Sequence, residues 1–561
     1  MTSHKARTGG QILVDQLKIH SADLAFCVPG ESYLPVLDAL YEHRNSIRLI
    51  TCRHESGAAN MAEAYGKLTG KPGICLVTRG PGATNASIGV HTAFQDSTPM
   101  ILFIGQVGSD FVEREAFQEI DYRRMFGQMA KWVAQIDRAD RIPEFIARAY
   151  QVATSGRMGP VVLALPEDML SATATVADAR AWQRVETSPG EQALARLSSL
   201  LSDAKRPFVI VGGSGWHADA CADLQHFAET QKIPIGCAFR FQDLFDNAHP
   251  NYAGDVGIGI NPKLAARIKA ADLIIAIGPR LGEMTTSGYT LIDPAGAAES
   301  AQTLVHIHAG AEELGRVYQA DLMINATMAA MAKALAALPR LTQVGVEENV
   351  KAANADYQSW QAQKTTPGTV QMWDVMQHLE SVLPANAIVT NGAGNYATWV
   401  HRFHRYRGFR TQLAPTSGAM GYGVPAAVAA KAEHPDRVVV AFAGDGCFLM
   451  TGQELATAVQ YQLNVIFIVV NNNMYGTIRM HQEREFPGHV YGTALVNPDF
   501  AAYARAFGAS GEVVERTAEF APAFERAMKA GKPALIEIRI DPEAISPNTT
   551  LQAIREVAEK L

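Results

Sequence analysis

Cysteine is scarce in this chain. Its 561 residues hold six, at Cys27, Cys52, Cys75, Cys221, Cys237 and Cys447, and no two of them form a CxxC pair. That scatter excludes a disulfide scaffold or a structural zinc site as an expectation, and makes a reducing cytosol the expected compartment. Residues 1–11 are polar and lack the apolar stretch of a secretory leader, so none is expected. No uninterrupted apolar run approaches the roughly 18 residues of a membrane span. An excess of one charge is also missing: 49 basic residues face 56 acidic ones, for a net charge of −7. Neither nucleic acid nor an anionic membrane is an expected partner on that balance. Repeats and low-complexity tracts are absent. What remains is ordinary globular material, 48% hydrophobic and 19% charged, which excludes disordered and fibrous classes. At roughly 150 residues per domain, three or four domains are expected.

The first third alternates short apolar runs with helical patterns. Strands are expected at residues 23–28, 48–52, 73–78, 100–107 and 161–165. Helices are expected at 34–41 and where Ala58, Met61, Ala62 and Tyr65 recur at i, i+3, i+4 and i+7. Strands spaced by helices imply a parallel sheet covered on both faces. A polar stretch, 171–191, reads as a linker. A second α/β block follows, with strands expected at 207–211, 272–277 and 304–307, and residues 320–338 closing it. Residues 340–368, with a lone Trp360, read as a connecting helix and loop. A third block starts near Thr369, with strands expected at 387–390, 438–442, 465–470 and 534–538, and a charged helix after Pro547. The expected fold class is α/β, three consecutive doubly wound parallel-sheet domains, and the first and third are free to share an architecture without sharing sequence.

The chemistry is concentrated in the third block. The strand at 438–442 runs into Gly444-Asp445-Gly446, and a later strand ends at Asn471-Asn472. Between them, Thr451-x-x-Glu454 has the form of a capping box that would start a helix to about Gln460. Asp445 and Asn472, 27 positions apart, are thus expected at the carboxyl ends of adjacent parallel strands, the edge where open α/β sheets bind ligands. A carboxylate and an amide oxygen are hard ligands suited to Mg²⁺, which leaves coordination positions for phosphate. Glycines beside Asp445 admit a diphosphate to the backbone, and the following helix offers its first amides.

This unit resembles the thiamine diphosphate motif, GDG followed by NN. The resemblance implies Asp445, Asn472 and the main-chain oxygen of Met474 as Mg²⁺ ligands, with Gly446, Cys447 and Gly476 beside the diphosphate. In the first block, Arg53-His54-Glu55 and Gly80-Pro81-Gly82-Ala83-Thr84-Asn85 are similar to the RHE and GPGATN segments of the acetolactate synthase family. By that likeness Glu55 holds N1′ of the cofactor's aminopyrimidine, a task that requires a desolvated carboxyl sharing its proton. Ser417-Gly418-Ala419-Met420-Gly421-Tyr422-Gly423 looks like the family's GTMGFG, in which the carbonyl at Gly418 accepts from the 4′-amino group and the side chain at Met420 props the cofactor into a bent shape. Gly394-Asn395-Tyr396 resembles the family's diphosphate-contacting GQH turn, with two of its three residues changed. The likeness implies a pyrimidine-binding domain at 1–175, a central Rossmann-like domain at 190–340 and a diphosphate-binding domain at 367–545. It also implies a homodimer at least, with the cofactor between subunits, and commonly a homotetramer.

On the substrate side, Ala116-Phe117-Gln118-Glu119 is similar to the family's AFQE, whose Phe and Gln line the pocket. Two departures stand out. Met284 lies where the family keeps an arginine on the acceptor side, and His481 lies where it keeps a pocket tryptophan. Losing an arginine removes a bidentate carboxylate clamp, unless Arg280 or Arg479 replaces it. Val28-Pro29-Gly30-Glu31 in turn resembles a segment of pyruvate and indolepyruvate decarboxylases, whose acid at this place acts near the reacting carbon, so Glu31 is a candidate proton donor for aldehyde release. The paired histidines of those enzymes are missing, with His91 the nearest candidate. In the central block Val211-Gly212-Gly213-Ser214-Gly215-Trp216 is a weak dinucleotide signal. Some family members hold FAD there in a non-redox role and others lack it, so FAD stays open.

The first expectation is a thiamine-diphosphate- and Mg²⁺-dependent enzyme, acetolactate synthase-like, that decarboxylates a pyruvate-like 2-oxo acid and transfers the acyl unit to a second carbonyl compound, as in branched-chain amino acid biosynthesis. The alternatives are a 2-oxo-acid decarboxylase or acyloin lyase that releases an aldehyde, and a non-catalytic cofactor-binding homologue.

Overall fold

The computed structural model of the protein describes residues 5–292, 302–343 and 346–560. Residues 1–4 of the polar start and 344–345 of the connecting segment lie outside the described residues. Two compact units result: Met1–Val185 with Ser417–Asp436 and Leu449–Val465, and Glu186–Thr416 with Arg437–Phe448 and Ile466–Leu561.

The first unit holds six parallel strands: β1 (Leu24–Cys27), β2 (Arg48–Thr51), β3 (Gly73–Val77), β4 (Met100–Gln106), β5 (Trp132–Gln135) and β6 (Pro160–Pro166). Their order is β2-β1-β3-β4-β6-β5. Strands β3, β4 and β6 are buried along their whole length, which is why they read as unbroken apolar runs. Helices α1 (Glu55–Thr69) and α2 (Pro81–Asp96) follow β2 and β3. Within this unit the alanine-rich helix Gly423–Glu433, buried almost all round, packs on α1. The Tyr422 hydroxyl just before it donates to the buried Glu63 carboxylate on α1 at 2.5 Å.

The second unit holds two six-stranded parallel sheets. The central one comprises β7 (Pro207–Val211), β8 (Ile235–Ala238), β9 (Tyr252–Val256), β10 (Leu273–Ile277), β11 (Thr303–His308) and β12 (Leu322–Asn325), in the doubly wound order β9-β8-β7-β10-β11-β12. Helix α3 (Ala218–Gln231) follows β7. The third sheet comprises β13 (Ile388–Asn391), β14 (Gln412–Leu413), β15 (Val439–Gly444), β16 (Ile466–Asn471), β17 (Ser510–Val514) and β18 (Ala534–Arg539). Its order, β14-β13-β15-β16-β18-β17, repeats that of the first sheet, so those two blocks do share an architecture.

Every strand expected from an apolar run is present to within a residue or two. The strands the pattern missed are β5, β8, β9, β12, β14 and β17, together with the short antiparallel pair Arg7–Thr8 and Thr173–Ala174, the second within the stretch read as a linker. Five of them (β5, β9, β12, β14 and β17) are edge strands. An edge strand needs less apolar surface and so carries a weaker signal. The capping box at Thr451 and Glu454 is corrected. Thr451 precedes a three-residue 3₁₀ turn, Gly452–Glu454, and makes no side-chain cap. Its hydroxyl donates instead to the Gly421 carbonyl at 2.6 Å, and Glu454 reaches to Arg53 and His54.

Helices α1 and α2 cross so closely that a Cβ on Gly89 would lie 2.4 Å from the Ala59 Cβ and 2.6 Å from the Ala59 carbonyl carbon. In an isolated helix Gly→Ala gains up to ~1 kcal/mol, whereas overpacking of this kind costs ~1–3 kcal/mol. Gly89→Ala should therefore lower the urea midpoint of the protein. A midpoint unchanged or raised would contradict the close crossing.

Candidate functional site

The candidate residues fall into two groups, one in each unit. In the first unit Glu55 is the first residue of α1, with His54 as its N-cap. The Glu55 side chain is partly buried and accepts from the Asn85 amide on α2 at 3.0 Å. Asn85 closes the Gly80–Asn85 segment, but its pairing with Glu55 had no signal of its own in the sequence. Around Arg79 the structure gathers three candidates. The Phe117 carbonyl accepts from Arg79 Nε at 3.1 Å, and the Glu31 carboxylate lies 3.6 Å from the guanidinium. Gln118 adopts a left-handed φ of 67°. The Phe117 ring is 71% exposed and the Glu31 side chain 70% exposed. Arg79, itself nearly buried and also paired with Glu167 at 3.2 Å, is a cation that sequence reasoning passed over. Gly418 is exposed and Met420 partly buried in the loop before Tyr422, and His91 is exposed on α2.

In the second unit, β15 and β16 pair in parallel with Gly444 beside Val470. Asp445 and Asn472 therefore leave adjacent strands at the same edge, as their spacing implied. Burial pushes the Asp445 carboxyl above the usual carboxylate range, opposed by hydrogen bonds from the Gly446 N–H, the Asn497 amide and the N–H groups of Met474 and Asn473. The Asn497 amide nitrogen donates at 2.7 Å to Asp445 and at 3.0 Å to Asn471. Residues 473–475 are tied to the Asn497 segment by Leu495 N–H to the Asn473 carbonyl and Tyr475 N–H to the Thr493 carbonyl, both at 2.9 Å. Nothing in the Val496-Asn497-Pro498 run marked Asn497 as part of this group.

The turn at Gly394-Asn395-Tyr396 joins the same edge. The Tyr396 hydroxyl accepts from the Gly392 N–H at 3.0 Å and lies 3.3 Å from Cys447 Sγ. Asn395 accepts from the Thr477 hydroxyl at 2.8 Å, one residue after Gly476. The third sheet thus brings Gly394, Asn395, Tyr396, Asp445, Gly446, Cys447, Asn472, Met474 and Gly476 to one edge. His481 is exposed on α4 (Gly476–Glu485).

The donor chemistry at this edge suits a hard divalent cation, with one buried carboxylate, one amide and a main-chain oxygen in reach of the same strand ends. A carboxyl made costly as an anion by burial is relieved by such a cation. The Asn497 amide oxygen is buried with no hydrogen-bond partner among the described residues, a polar atom left for a ligand or its water. No cluster of three or more His, Cys, Asp or Glu able to hold a metal occurs among the described residues, so any cation here depends on the mixed oxygen set.

The two arginines considered as replacement clamps are both engaged. Arg280 pairs with the buried Glu313 at 3.3 Å. Arg479 pairs with the buried Glu483 at 2.5 Å, which also takes a bidentate pair from Arg555 at 2.6 and 2.7 Å.

Comparison with known proteins agrees with this layout. The thiamine pyrophosphate enzyme N-terminal TPP binding domain matches residues 7–125, the central domain 194–335 and the C-terminal TPP binding domain 392–538. The acetolactate synthase isozyme 2 large subunit of Escherichia coli (strain K12) is 30% identical over 542 residues, 95% of each chain. The acetolactate synthase large subunit of Lactococcus lactis is 30% identical, over 90% of this chain and 88% of that one. The mitochondrial acetolactate synthase catalytic subunit of Saccharomyces cerevisiae is 29% identical, over 96% and 82%. The chain belongs to the thiamine pyrophosphate enzyme family, among relatives that are acetolactate synthase large subunits, and is a thiamine-diphosphate-dependent enzyme.

Arg555 lies on the C-terminal helix Leu551–Ala558, and its pair with Glu483 ties that helix to α4. The Arg555 guanidinium, helped by the Gly488 N–H and Arg479, holds the Glu483 carboxyl down at about 2. A depressed carboxyl contributes stability that is present above its unfolded value, near ~4.3, and is lost as pH falls through its folded value. Glu483→Gln should thus lower Tm at neutral pH, with the gap to wild type closing from about pH 4 down to about pH 2. A gap that stays constant over that window would remove the charge pair from the account.

Proposed function

We propose that the chain holds thiamine diphosphate through Mg²⁺ bound by Asp445, Asn472 and the main-chain oxygen of Met474, decarboxylates a 2-oxo acid such as pyruvate, and transfers the acyl unit to a second carbonyl compound. The observation that supports this reading is the shared edge of β15 and β16, where Asp445 and Asn472 each follow the last residue of paired parallel strands. When bound, the cofactor supplies a nucleophilic thiazolium carbon and an electron sink for decarboxylation. The chain's own groups bind, orient and move protons. Gly394, Asn395, Tyr396, Gly446, Cys447 and Gly476 line the diphosphate, and Gly418 and Met420 orient the pyrimidine ring. Glu55, steadied by Asn85, exchanges a proton at ring N1′. Phe117, Gln118 and His481 face the substrate.

The domains of this reading are 1–175, 190–340 and 367–545. Its assembly is a homodimer or homotetramer in which Glu55 of one copy and Asp445 of another serve the same cofactor. The exposed Phe486, Tyr491 and Val496 support a covered surface of that kind. None of the six cysteines is in a disulfide among the described residues, which supports a cytosolic setting. No helix among the described residues is long and apolar enough to cross a membrane. We assign no step to FAD. At the turn after β7 the His217 ring already takes the Ala220 N–H at the start of α3, at 3.1 Å. The buried Trp216 indole N–H donates to the Gly212 carbonyl at 2.9 Å, so both N–H groups are already engaged. These are groups a pyrophosphate at a helix start would need.

A second reading is favoured by the engagement of Arg280 and Arg479 with Glu313 and Glu483. With Met284 at the acceptor position, a second carboxylate lacks a dedicated clamp. The acceptor is then an aldehyde, or an aldehyde is released after a proton from Glu31.

Calorimetry tests the metal assignment. Asp445→Ala should weaken thiamine diphosphate binding in Mg²⁺ by more than the roughly 10–100-fold that losing a partner of a metal ligand costs. Asn472→Ala should act in the same direction but more mildly. Wild-type affinity in Asp445→Ala would refute the assignment. Glu55→Gln should leave the cofactor bound and slow hydrogen–deuterium exchange at its thiazolium carbon by ~10²–10⁴. Product analysis from pyruvate separates the two readings: acetolactate with no acetaldehyde, unaffected by Glu31→Gln, supports carboligation, while a substantial aldehyde yield that falls in Glu31→Gln supports the second.

A further inference from the structure

Glu454 has no solvent exposure, yet the hydrogen bonds to its carboxylate come from neutral groups. Its Oε1 accepts from the main-chain N–H groups of Arg53 and His54, both at 3.0 Å. Its Oε2 accepts from the Thr457 hydroxyl at 2.6 Å. The two amides belong to the peptides immediately before Glu55, at the point where the chain turns from β2 into α1. A Cβ on Gly57 would lie 2.4 Å from Glu454 Oε1, so the carboxylate approaches α1 through a face that only glycine leaves open. Burial pushes the Glu454 carboxyl up, and the hydrogen bonds from Thr457, Arg53 and His54 oppose that shift.

The surrounding segment reinforces the contact. The Tyr461 hydroxyl accepts from the Thr51 N–H at 2.8 Å, and the Arg53 guanidinium donates to the Gln460 side chain at 2.5 Å. Residues 449–465 therefore line the β2–α1 connection along its length, with Glu454 at the two peptides that set the direction of Glu55. The chain reaches Glu454 from Asp445 through one short helix, Asp445–Phe448, and the turn Gly452–Glu454.

We propose that Glu454 is a positioning residue for Glu55: its carboxylate fixes the peptides of Arg53 and His54, and through them the direction in which the Glu55 carboxyl leaves α1. The role rests on the reading of Glu55 as the group that exchanges a proton with the cofactor. An anchor that merely stabilises the fold would affect all steps alike. A positioning group acts only while Glu55 is there to be positioned.

The test is a double-mutant cycle read by thiazolium hydrogen–deuterium exchange, with amide exchange of the cofactor-free protein as a second readout. Glu454→Ala should speed amide exchange at residues 53–57 of the cofactor-free protein. It should slow thiazolium exchange by about tenfold or more, the size of coupling common within one hydrogen-bond network, while calorimetric affinity for thiamine diphosphate changes by less than about threefold. Glu454→Gln keeps an oxygen for the two amides, and the Thr457 hydroxyl can turn to accept from its amide nitrogen, so it should restore most of the rate. In a Glu55→Gln background, Glu454→Ala should cause no further slowing. Gly57→Ala, which displaces the carboxylate without removing it, should reproduce the pattern, and it serves as the test if Glu454→Ala fails to fold. Equal slowing with and without Glu55, or full exchange in a folded Glu454→Ala protein, overturns the role of Glu454 alone. A wild-type protein that binds the cofactor but shows no thiazolium exchange overturns the functional reading, and this role with it.

Discussion

Gly444 and Val470 lie side by side in adjacent parallel strands, and that register decides where Asp445 and Asn472 leave the third sheet. Parallel strands buried on both faces can open toward ligands only at their ends. Asp445 follows the last residue of β15 and Asn472 the last residue of β16, so a one-residue slip would move one of them by ~3.3 Å along the strand direction relative to the other. The contacts around Asp445 follow from its burial there: a carboxyl inside the protein must collect donors, and here they come from Gly446, Met474, Asn473 and Asn497. Asn497 also bonds Asn471, so a single amide braces both strand ends. Tyr396 closes the other side of the edge with its hydroxyl between Gly392 and Cys447.

The first unit meets the same constraint differently. Its sheet has the same strand order as the third, but its principal carboxyl, Glu55, opens a long helix instead of ending a strand. Glu63, Asp96 and Glu454 are buried in this unit as well. Each has found partners: Tyr422 and Thr98 for Glu63, Lys67 for Asp96, and backbone amides for Glu454. Buried charges that are fully partnered are costly to disturb, so this cluster gives the start of α1 one arrangement. The small residues where α1 meets α2 and the helix Gly423–Glu433 let these elements approach closely enough for those short side-chain contacts to form.

Legibility of the chain followed burial. The central strands β3, β4, β6, β15 and β16 are largely apolar on both faces and stood out as runs. β9 contains Gly254 at a φ of 126° and a partly buried Asp255, and β17 is only half-buried on most residues, so neither shows a period. Glycine-rich motifs and the Asp445–Asn472 spacing located the third-sheet edge, because close backbone approach and metal ligation demand particular residue types. Asn497 and Arg79 escaped, as did the pairing of Asn85 with Glu55, because a single polar residue in a loop or helix carries no pattern. Glu454 was legible as a residue and misassigned in role. Thr-x-x-Glu is the local signature of a cap, and only the fold shows that the amides it serves lie some 400 positions earlier in the chain.

The central claim is that one metal ion joins Asp445 and Asn472 to a diphosphate. Replacing Mg²⁺ by Mn²⁺ and recording phosphorus hyperfine coupling by electron–nuclear double resonance reports that junction directly. Protein-bound Mn²⁺ should show ³¹P coupling when thiamine diphosphate is present and lose it in Asp445→Ala. Bound Mn²⁺ with no phosphorus coupling, or coupling that survives intact in Asp445→Ala, would contradict the claim.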